Sequence, residues 1–540
     1  MKYLFLLFPF FVANGLFSQQ TQSVDFKKAA ATISIHPENK SVRGEVVYTF
    51  EILENVDSIF IDAKDMEFAN IELNGKKADF LNDGERLWIL SDFQKSTNNT
   101  LGFNYKAFPE QSMYFIGWQD SLKTNELSVN QVWTQGQGKE TSYWLPSFDN
   151  TNEKVEFDLS FNFKKGYEVI SNGKLIDKVE LNDSIVRWKY DMDHPMSSYL
   201  VAVAAGKYDR KEMMSSAGIP IYLYYYPRKK DLVEPTYRYS KRIFDFLVQE
   251  IGVPFPWKNY KQIPVRDFLY SGMENTTATI FSDVFITDSI GFKDRNYVMV
   301  NAHELAHQWF GDMVTAVSDK HHWLQEGFAT YFALLAEKEI FGDDYFYWKL
   351  YESAERLKSR SDIGKGEAVL RAGGNSLTYY QKGAWALHIL REKIGDEAFK
   401  KGIRNYLKKY KYKNVTTRDF ISEMEKASGV DLSGFVSKWL EQSVFQAYEA
   451  LNSLKKSEFI TNYLKIAALK ELPLEGKKEL LSRALDFPMN DYIGQEVVYQ
   501  LALENPMDVM DLYEKAFATN NIFVRQAIAI SMDSIPKELK

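Results

Sequence analysis

The sequence has 540 residues, of which 45% are hydrophobic and 15% aromatic, so we expect several hydrophobic cores in about two to four domains. Its net charge of -7 disfavours an electrostatic interface with nucleic acid or an anionic membrane, because both require excess lysine and arginine. Cysteine is absent, which excludes disulfides, thiolate metal ligands and cysteine nucleophiles. Any metal ion must therefore be held by histidine, aspartate or glutamate.

Residues 1–18 have the pattern of a secretory signal peptide. Lys2 gives a minimal positive region, and a largely apolar run follows over residues 3–17. This run is too short for a membrane span, and no other window approaches the roughly 20 apolar residues that a span needs. We expect cleavage after Gly15 or Ser18 and an exported protein, periplasmic or secreted, without an integral membrane segment. The alternative is a buried N-terminal strand.

Residues 19–207 have the sequence pattern of an all-β domain. β-branched and aromatic residues are concentrated at 46–52 and 59–61. The dipeptides Asn74-Gly75 and Asn172-Gly173 favour the tight turns that join antiparallel strands. We therefore predict short strands separated by turns throughout this segment.

From about residue 208 the apolar spacing becomes helical. Residues 240–250 and 297–310 show this spacing, and Gly311 stands where a helix stop is expected. We predict a mainly helical second domain over 208–445 and a C-terminal array of helices over 446–540. Helices in the array are predicted at 455–469, 477–484 and 508–517.

His303-Glu304-Leu305-Ala306-His307 carries the most specific chemical signal. Residues four apart on an α-helix share a face, so His303 and His307 can bind one ion. Zinc accepts imidazole and carboxylate ligands and suits a chain without thiolates. Glu304 is placed to hold a zinc-bound water rather than the metal. The alternative is a surface helix with two unrelated histidines.

The third zinc ligand is expected from a second helix, and residues 323–331 supply Glu326. At this point the sequence resembles the gluzincin aminopeptidases, the aminopeptidase N and leukotriene hydrolase group. That family follows H-E-x-x-H, after eighteen residues, with a glutamate ligand, and Glu326 stands at that position. The resemblance implies that Glu326 binds the metal, whereas taken alone it is one acidic residue among many.

Three other histidines are not expected to bind zinc. His321 and His322 lie in a connecting loop, where histidines are usually solvated, and the ligand set is already complete. His388 lies on a predicted helix and is expected to be packed. Many relatives support a zinc histidine with a carboxylate seven residues after the third ligand; Ala333 stands there, so this partner is unidentified.

A second match implies a site for the substrate N-terminus. Ser271-Gly272-Met273-Glu274-Asn275 resembles the family's G-x-M-E-N loop, so Gly272, Met273 and Asn275 would line the substrate site beside Glu274. The family glutamate binds the free α-ammonium, which favours a charged N-terminus and excludes a preceding residue. Ser271 replaces the family's first glycine, so the resemblance does not predict the backbone conformation at residue 271. The alternative for Glu274 is a solvated turn.

Two further segments match the family. Thr134-Gln135-Gly136-Gln137-Gly138 looks like the segment that enters the cleft from the β domain; Gln137 would share the ammonium and Gln135 would line the first pocket. Many relatives have glutamate at the position of Gln137. Tyr380 opens a Y-x-K-G-A match and would donate to the developing oxyanion, while the family register excludes Tyr379.

The resemblance extends over about residues 29–445. It implies a multidomain α+β protein with a saddle-like N-terminal β domain, a thermolysin-like catalytic α+β domain and a HEAT-like C-terminal helical domain. It also implies one Zn²⁺ per chain and hydrolysis of the first residue from peptides with a free N-terminus, with Glu304 as general base. The alternatives are a zinc endopeptidase and a catalytically inactive exported binding protein. A nucleic-acid partner is not expected.

Overall fold

A computed structural model describes residues 20–118, 130–371 and 373–531. The predicted signal peptide, residues 1–18, lies outside the described residues. None of the described helices combines the length and the apolar composition that crossing a bilayer requires. The chain divides into two compact units: the first comprises the described parts of 1–329 and 400–427, and the second those of 330–399 and 428–540. The predicted domain limits stay predictions.

The N-terminal segment is built from β-strands, as predicted. Alternate side chains along Lys154–Lys164 are buried, which is the period-two pattern of a strand with one face on a core. The predicted strands at 46–52 and 59–61 lie within Ser41–Ile52 and Val56–Asp62. Val24–His36 pairs in parallel with Lys154–Lys164 and antiparallel with Ser41–Ile52.

The strands that the structure describes in this segment form three sheets. In spatial order the largest contains Lys174–Glu180, Ile185–Asp191, Lys154–Lys164, Val24–His36, Ser41–Ile52, Ser96–Ala107, Glu67–Leu73 and Lys76–Lys77, with Met196–Ser197 on Lys154–Lys164. The second contains Glu168–Ser171, Val203–Gly206, Gln131–Thr134 and Met113–Ile116, and the third Val56–Asp62, Arg86–Phe93 and Asp79–Asn82.

One predicted tight turn is confirmed. Asn74-Gly75 joins Glu67–Leu73 to Lys76–Lys77, and these two strands pair antiparallel. Gly75 has φ of 73°, a left-handed conformation that glycine adopts without steric cost.

The other predicted tight turn is wrong as a hairpin. Asn172-Gly173 connects Glu168–Ser171 to Lys174–Glu180, which lie in different sheets. The reason is that Asn172 makes tertiary contacts: its buried amide nitrogen donates to the carbonyl oxygens of Leu200 at 2.9 Å and Thr276 at 2.7 Å. The turn therefore fixes a distant loop instead of joining paired strands.

A mixed sheet follows the β-rich segment. Its strands, in spatial order, are Asp209–Met214, Pro220–Tyr225, Tyr260–Val265, Ala278–Ser282 and the short edge strand Gly272–Met273. The three middle strands are parallel and the edge strand is antiparallel to its neighbour. Thr315–Ala316 pairs separately with Asn414–Val415.

A shared hydrophobic cluster joins the mixed sheet to the β-rich segment. Trp133 packs with Ile263 and Ile280 from the mixed sheet, and its indole N–H donates to the Arg266 carbonyl at 2.9 Å. Trp133 lies on Gln131–Thr134, which precedes the predicted substrate loop. Burial of this ring, worth several kcal/mol, therefore anchors that loop near the mixed sheet.

The remaining chain is mainly helical. The α-helices up to residue 435 are Val233–Tyr237, Ser240–Ile251, Val298–His307, Trp323–Phe341, Asp343–Asp362, Gly383–Ile394, Asp396–Lys409, Thr417–Ser428 and Ser433–Phe435, with π-helical turns at Leu377–Lys382 and Val436–Glu441. The C-terminal helices are Ala447–Leu454, Glu458–Ala467, Leu474–Ala484, Asp491–Leu501, Met510–Ala518 and Ile522–Ser531. The predicted C-terminal helices are thus confirmed, with shifted ends.

Replacing Gly173 by alanine is expected to lower the melting temperature more than replacing Gly75. Both glycines have positive φ, so alanine at either one costs about 1 kcal/mol in backbone strain. A Cβ at Gly173 would also lie 2.2 Å from the Asp191 carbonyl oxygen, whereas a Cβ at Gly75 would meet nothing within 4 Å. This overlap adds about 1–3 kcal/mol. Thermal unfolding by circular dichroism measures both variants, and equal shifts would contradict the packing argument.

Candidate metal centre and active site

The first ligand helix, Val298–His307, brings two histidines together. His303 and His307 lie one turn apart, and their Nε2 atoms are 3.1 Å apart. Their residues are only 8% and 1% exposed. The helix is shorter than the predicted segment 297–310, because the chain turns after His307 and places the Phe310 carbonyl oxygen 2.9 Å from His307 Nδ1.

The second ligand helix, Trp323–Phe341, supplies Glu326 from its first turn. Its Oε2 atom lies 3.3 Å from Nε2 of His303 and 3.3 Å from Nε2 of His307. The positive end of the helix dipole favours a carboxylate in this turn. The structure therefore brings the three predicted metal ligands to one buried point.

These three side chains fit a zinc ion. The Phe310 carbonyl can only accept, so His307 carries a proton on Nδ1, and in the neutral ring the Nε2 lone pair faces the other ligands. Among the described residues, Glu326 Oε2 has no hydrogen-bond donor. Tetrahedral zinc with bonds of about 2.0–2.1 Å separates its ligand atoms by about 3.3 Å. The observed separations of 3.1–3.3 Å match this arrangement.

The charges around this point also favour a cation. Burial raises the pKa of the Glu304 carboxyl well above its ordinary value; His307 opposes this shift and Glu274 adds to it. Burial likewise raises the pKa of Glu274. Burial would raise the pKa of Glu326 as well, but His307 and the other two histidines beside it, His303 and His322, hold it well below its ordinary value. Burial therefore disfavours the charged forms of Glu304 and Glu274, and a cation among the three carboxyl groups would stabilise those forms.

Glu304 packs against the edge strand. A Cβ atom on Gly272 would lie 2.4 Å from Glu304 Oε1, so only glycine allows the carboxylate its position. Ligand atoms of Glu304, Glu274 and His307 lie within 4.8 Å of one another. The Ser271 carbonyl accepts from the Ser282 N–H at 3.0 Å, so the backbone path at Ser271 continues the edge strand.

Glu274 follows the edge strand and is 3% exposed. Within the described part of the chain, its Oε1 atom has no hydrogen-bond partner. Its backbone is held by Gln308, whose side-chain nitrogen donates to the Glu274 carbonyl at 3.1 Å and whose side-chain oxygen accepts from the Thr277 N–H at 2.9 Å. A carboxylate with a free acceptor is therefore fixed beside the metal ligands.

The other predicted residues of this loop have supporting positions. Met273 is buried and pairs with Ile280 across the edge of the mixed sheet. Asn275 is buried, and its amide nitrogen donates to the Leu200 carbonyl at 3.3 Å. Their predicted contacts with substrate stay predictions.

Gln135 and Gln137 lie in the loop after Gln131–Thr134. Gln135 is buried, and its Oε1 atom lacks a partner among the residues described. Gln137 is half-buried and lines a cavity of about 180 Å³ together with Tyr199 and His322. The loop approaches the Tyr199 backbone closely, since a Cβ on Gly136 would lie 2.2 Å from its carbonyl oxygen. The predicted roles of both glutamines stay predictions.

His321 and His322 lie in the connection before the second ligand helix, as predicted, but both are half-buried and hydrogen-bonded instead of solvated, and the expectation that neither binds zinc stays a prediction. His321 Nδ1 accepts from the Thr417 N–H at 3.2 Å, and His322 Nε2 lies 3.2 Å from Glu326 Oε1. The second ligand helix starts directly after them and turns both rings toward the protein. His388 is buried and its Nε2 atom lies 3.0 Å from Ser453 Oγ, as expected for a packed residue.

Tyr380 is half-buried in the π-helical turn Leu377–Lys382, which belongs to the second unit. Its predicted role as an oxyanion donor stays a prediction. The hydroxyl of the neighbouring Tyr379 donates to the Arg371 carbonyl and accepts from the Gly374 N–H at 2.8 Å. Backbone groups thus engage the hydroxyl of Tyr379 on both sides.

Sequence reasoning missed the residues that hold the site in place. The Phe310 carbonyl oxygen accepts a hydrogen bond from the His307 ring. Phe310 is therefore the supporting partner of a metal-binding histidine that the sequence did not identify. Gln308 directly follows the second histidine, but its two contacts with the Glu274 loop are tertiary and leave no pattern in one sequence. His322 was visible only as a histidine four residues before Glu326, a spacing that places both on one helix face.

Two models of one protein family match the chain. The Peptidase M1 N-terminal domain matches residues 26–200, and the Peptidase family M1 domain matches residues 236–439. Human glutamyl aminopeptidase is 27% identical over 368 residues, which cover 63% of this chain and 38% of that protein. Leucyl aminopeptidase of Saccharolobus solfataricus is 26% identical over 403 residues, 72% of this chain and 50% of that protein. The chain thus spans about a third to a half of the length of these curated relatives.

The fold is similar to that of solved structures. An M1 zinc metallopeptidase from Deinococcus radiodurans aligns with a TM-score of 0.63 and 20% identity, over 78% of this chain and 95% of that chain. This likeness confirms the predicted fold class, with a β-rich N-terminal part, an α+β part and a helical C-terminal part. Because the family matches cover both the β-rich segment and the segment with the converging metal ligands, the chain belongs to the peptidase M1 family.

Proposed function

We propose that the protein is a zinc aminopeptidase that hydrolyses the N-terminal residue from peptides. The observation that carries the proposal is the convergence of His303, His307 and Glu326 beside two further buried carboxyl groups, Glu304 and Glu274. Family membership supports peptide hydrolysis. Metal ligands, a candidate base and a candidate anchor for the substrate N-terminus are therefore close together.

His303, His307 and Glu326 would hold the zinc ion. When bound, zinc supplies Lewis-acid chemistry: it polarises a carbonyl oxygen and lowers the pKa of a water molecule. Glu304 lies on the same helix as the two histidines and faces Gly272 on the edge strand. Its carboxylate takes no part in the ligand set and is available as a base.

Glu304 moves the proton in the proposed reaction. One of its carboxylate oxygens takes a proton from water as the water oxygen attacks the carbonyl carbon of the first peptide bond. The C–N bond then breaks, and Glu304 returns the proton to the leaving amine nitrogen. The products are a free amino acid and a peptide shortened by one residue, and Glu304 is regenerated.

Glu274 would select peptides by their free amino group. Its buried Oε1 atom accepts no hydrogen bond from the described residues, and an α-ammonium would supply the missing donor. A charge-assisted hydrogen bond of this kind contributes about 1.5–3 kcal/mol. By resemblance, Gln137 would share the ammonium. An endopeptidase would have no use for this carboxylate, and an inactive binding protein would have no use for Glu304.

The proposed site of action is outside the cytoplasm, in the periplasm or the medium. The support comes from sequence, namely Lys2 and the apolar run that follows it over residues 3–17. N-terminal sequencing of the protein from its natural host is expected to begin at Leu16 or Gln19. A mature chain that begins at Met1 would contradict export by this route.

Glu304→Gln is expected to retain one zinc per chain and to lower kcat by about 100- to 10,000-fold, the usual contribution of a general base. Glutamine keeps the size of the side chain but cannot take the proton. Metal content is measured by mass spectrometry, and kcat with a chromogenic amino acid anilide. Near-normal turnover would remove Glu304 from this role.

The position of Glu304 is tested through its neighbour in the same assay. Gly272→Ala places a methyl group where the carboxylate lies, so kcat is expected to fall while zinc is retained. Gly102→Ala is the control, because its Cβ would meet Val47 at an ordinary distance of 3.8 Å. Removal of zinc with a chelator is expected to abolish the activity of all variants, and added zinc to restore that of the parent protein.

Glu274→Gln is expected to lower kcat/KM for peptides with a free N-terminus by about 10- to 100-fold, which corresponds to the loss of one charge-assisted hydrogen bond. Glu423→Gln is the control, since this buried carboxylate pairs with Lys409 and Lys426. N-acetylated peptides are expected to resist the parent enzyme. Their cleavage at a comparable rate would favour an endopeptidase.

A further inference from the structure

The two oxygens of the Glu326 carboxylate have different neighbours. Oε2 lies 3.3 Å from Nε2 of both His303 and His307, whereas Oε1 lies 3.2 Å from Nε2 of His322. A carboxylate oxygen only accepts, so His322 Nε2 carries the proton of this hydrogen bond. His322 thus contacts a metal ligand through the other oxygen of its carboxylate.

The backbone holds this contact in place. The His322 carbonyl oxygen accepts from the N–H groups of Gln325 at 2.9 Å and Glu326 at 3.2 Å. His322 and Glu326 are four residues apart at the start of the second ligand helix and therefore share a face. Because one helical turn carries both side chains, the ring and the carboxylate keep a fixed relation.

We propose that His322 is a positioning residue for the metal site. Its Nε2–H occupies Oε1 and thereby commits Glu326 to bind zinc through Oε2 alone. A carboxylate can bind a metal through one oxygen or through both, and the second mode would use the position that a catalytic zinc site keeps open. The hydrogen bond also orients the ligand before the metal arrives. This inference rests on the zinc site of the proposed function.

His321 provides a matched control. It is the adjacent histidine and is also half-buried, but its Nδ1 atom lies 3.0 Å from Thr417 Oγ1 and contacts no predicted metal ligand among the described residues. The His322 side chain is 24% exposed, so its replacement does not open a cavity in the core. Variants at both positions are therefore expected to fold.

Zinc affinity of the full chain is measured by competition with a chelator of known affinity. His322→Phe keeps a planar ring but removes the donor, and the zinc dissociation constant is expected to rise by about 10- to 100-fold. His322→Gln restores a side-chain N–H and is expected to recover most of the affinity. His321→Gln is expected to bind zinc as the parent protein does.

Two results would overturn the proposal. The first is a zinc affinity of His322→Phe equal to that of the parent protein. The second is an equal loss in His322→Phe, His322→Gln and His321→Gln, accompanied by lower melting temperatures of the metal-free proteins, which would indicate a general effect on folding. A parent protein that binds no zinc at all would instead contradict the proposed function.

Discussion

Three buried carboxyl groups, Glu274, Glu304 and Glu326, impose the electrostatic constraint on which the rest of the site depends. Each is at most 6% exposed, and burial without compensation costs several kcal/mol per charge. Two kinds of positive charge can provide the compensation: a metal ion among the ligands and the ammonium group of a peptide. In the proposed function the folded chain holds a place for both, and either one would offset the cost of burying these carboxyl groups.

The loop that carries Glu274, residues 274–277, is held in place by hydrogen bonds from two sides. The Gln308 side-chain amide makes two hydrogen bonds to this loop: its nitrogen donates to the Glu274 carbonyl, and its oxygen accepts from the Thr277 N–H. From the opposite direction, Asn172 donates to the Thr276 carbonyl at 2.7 Å, and the Gly173 N–H donates to Thr277 Oγ1 at 2.7 Å. The loop that carries the candidate ammonium anchor is thus fixed between the first ligand helix and the β-rich segment. Because the loop is rigid, it cannot move Glu274 away from the other carboxyl groups.

The sequence could predict contacts between residues that are near each other along the chain, but not contacts between distant segments. Helical spacing alone places His303 beside His307, because four residues make about one turn. Glu326 required the family spacing, since nothing local distinguishes it from other acidic residues. Asn172-Gly173 is a good hairpin signal, yet the Asn172 amide bonds to distant carbonyls, and a turn propensity contains no information about such partners. His322 was predicted to be solvated because it lies in a loop. It contacts Glu326 instead, because it lies one helical turn before that residue.

The same helical turn also joins the metal site to the predicted substrate loop. Gln325 precedes the ligand Glu326; its side-chain nitrogen donates to the Tyr199 hydroxyl at 3.1 Å, and its side-chain oxygen accepts from the Ala316 N–H at 3.0 Å. The Tyr199 carbonyl in turn packs against Gly136, where a Cβ would lie 2.2 Å away. Close packing transmits position between these elements, so a shift of the loop would move the helix turn that carries Glu326. Residues far apart in sequence thereby fix the distance between the loop and the metal ligands, and the proposed removal of single residues from a chain end would require that distance to be constant.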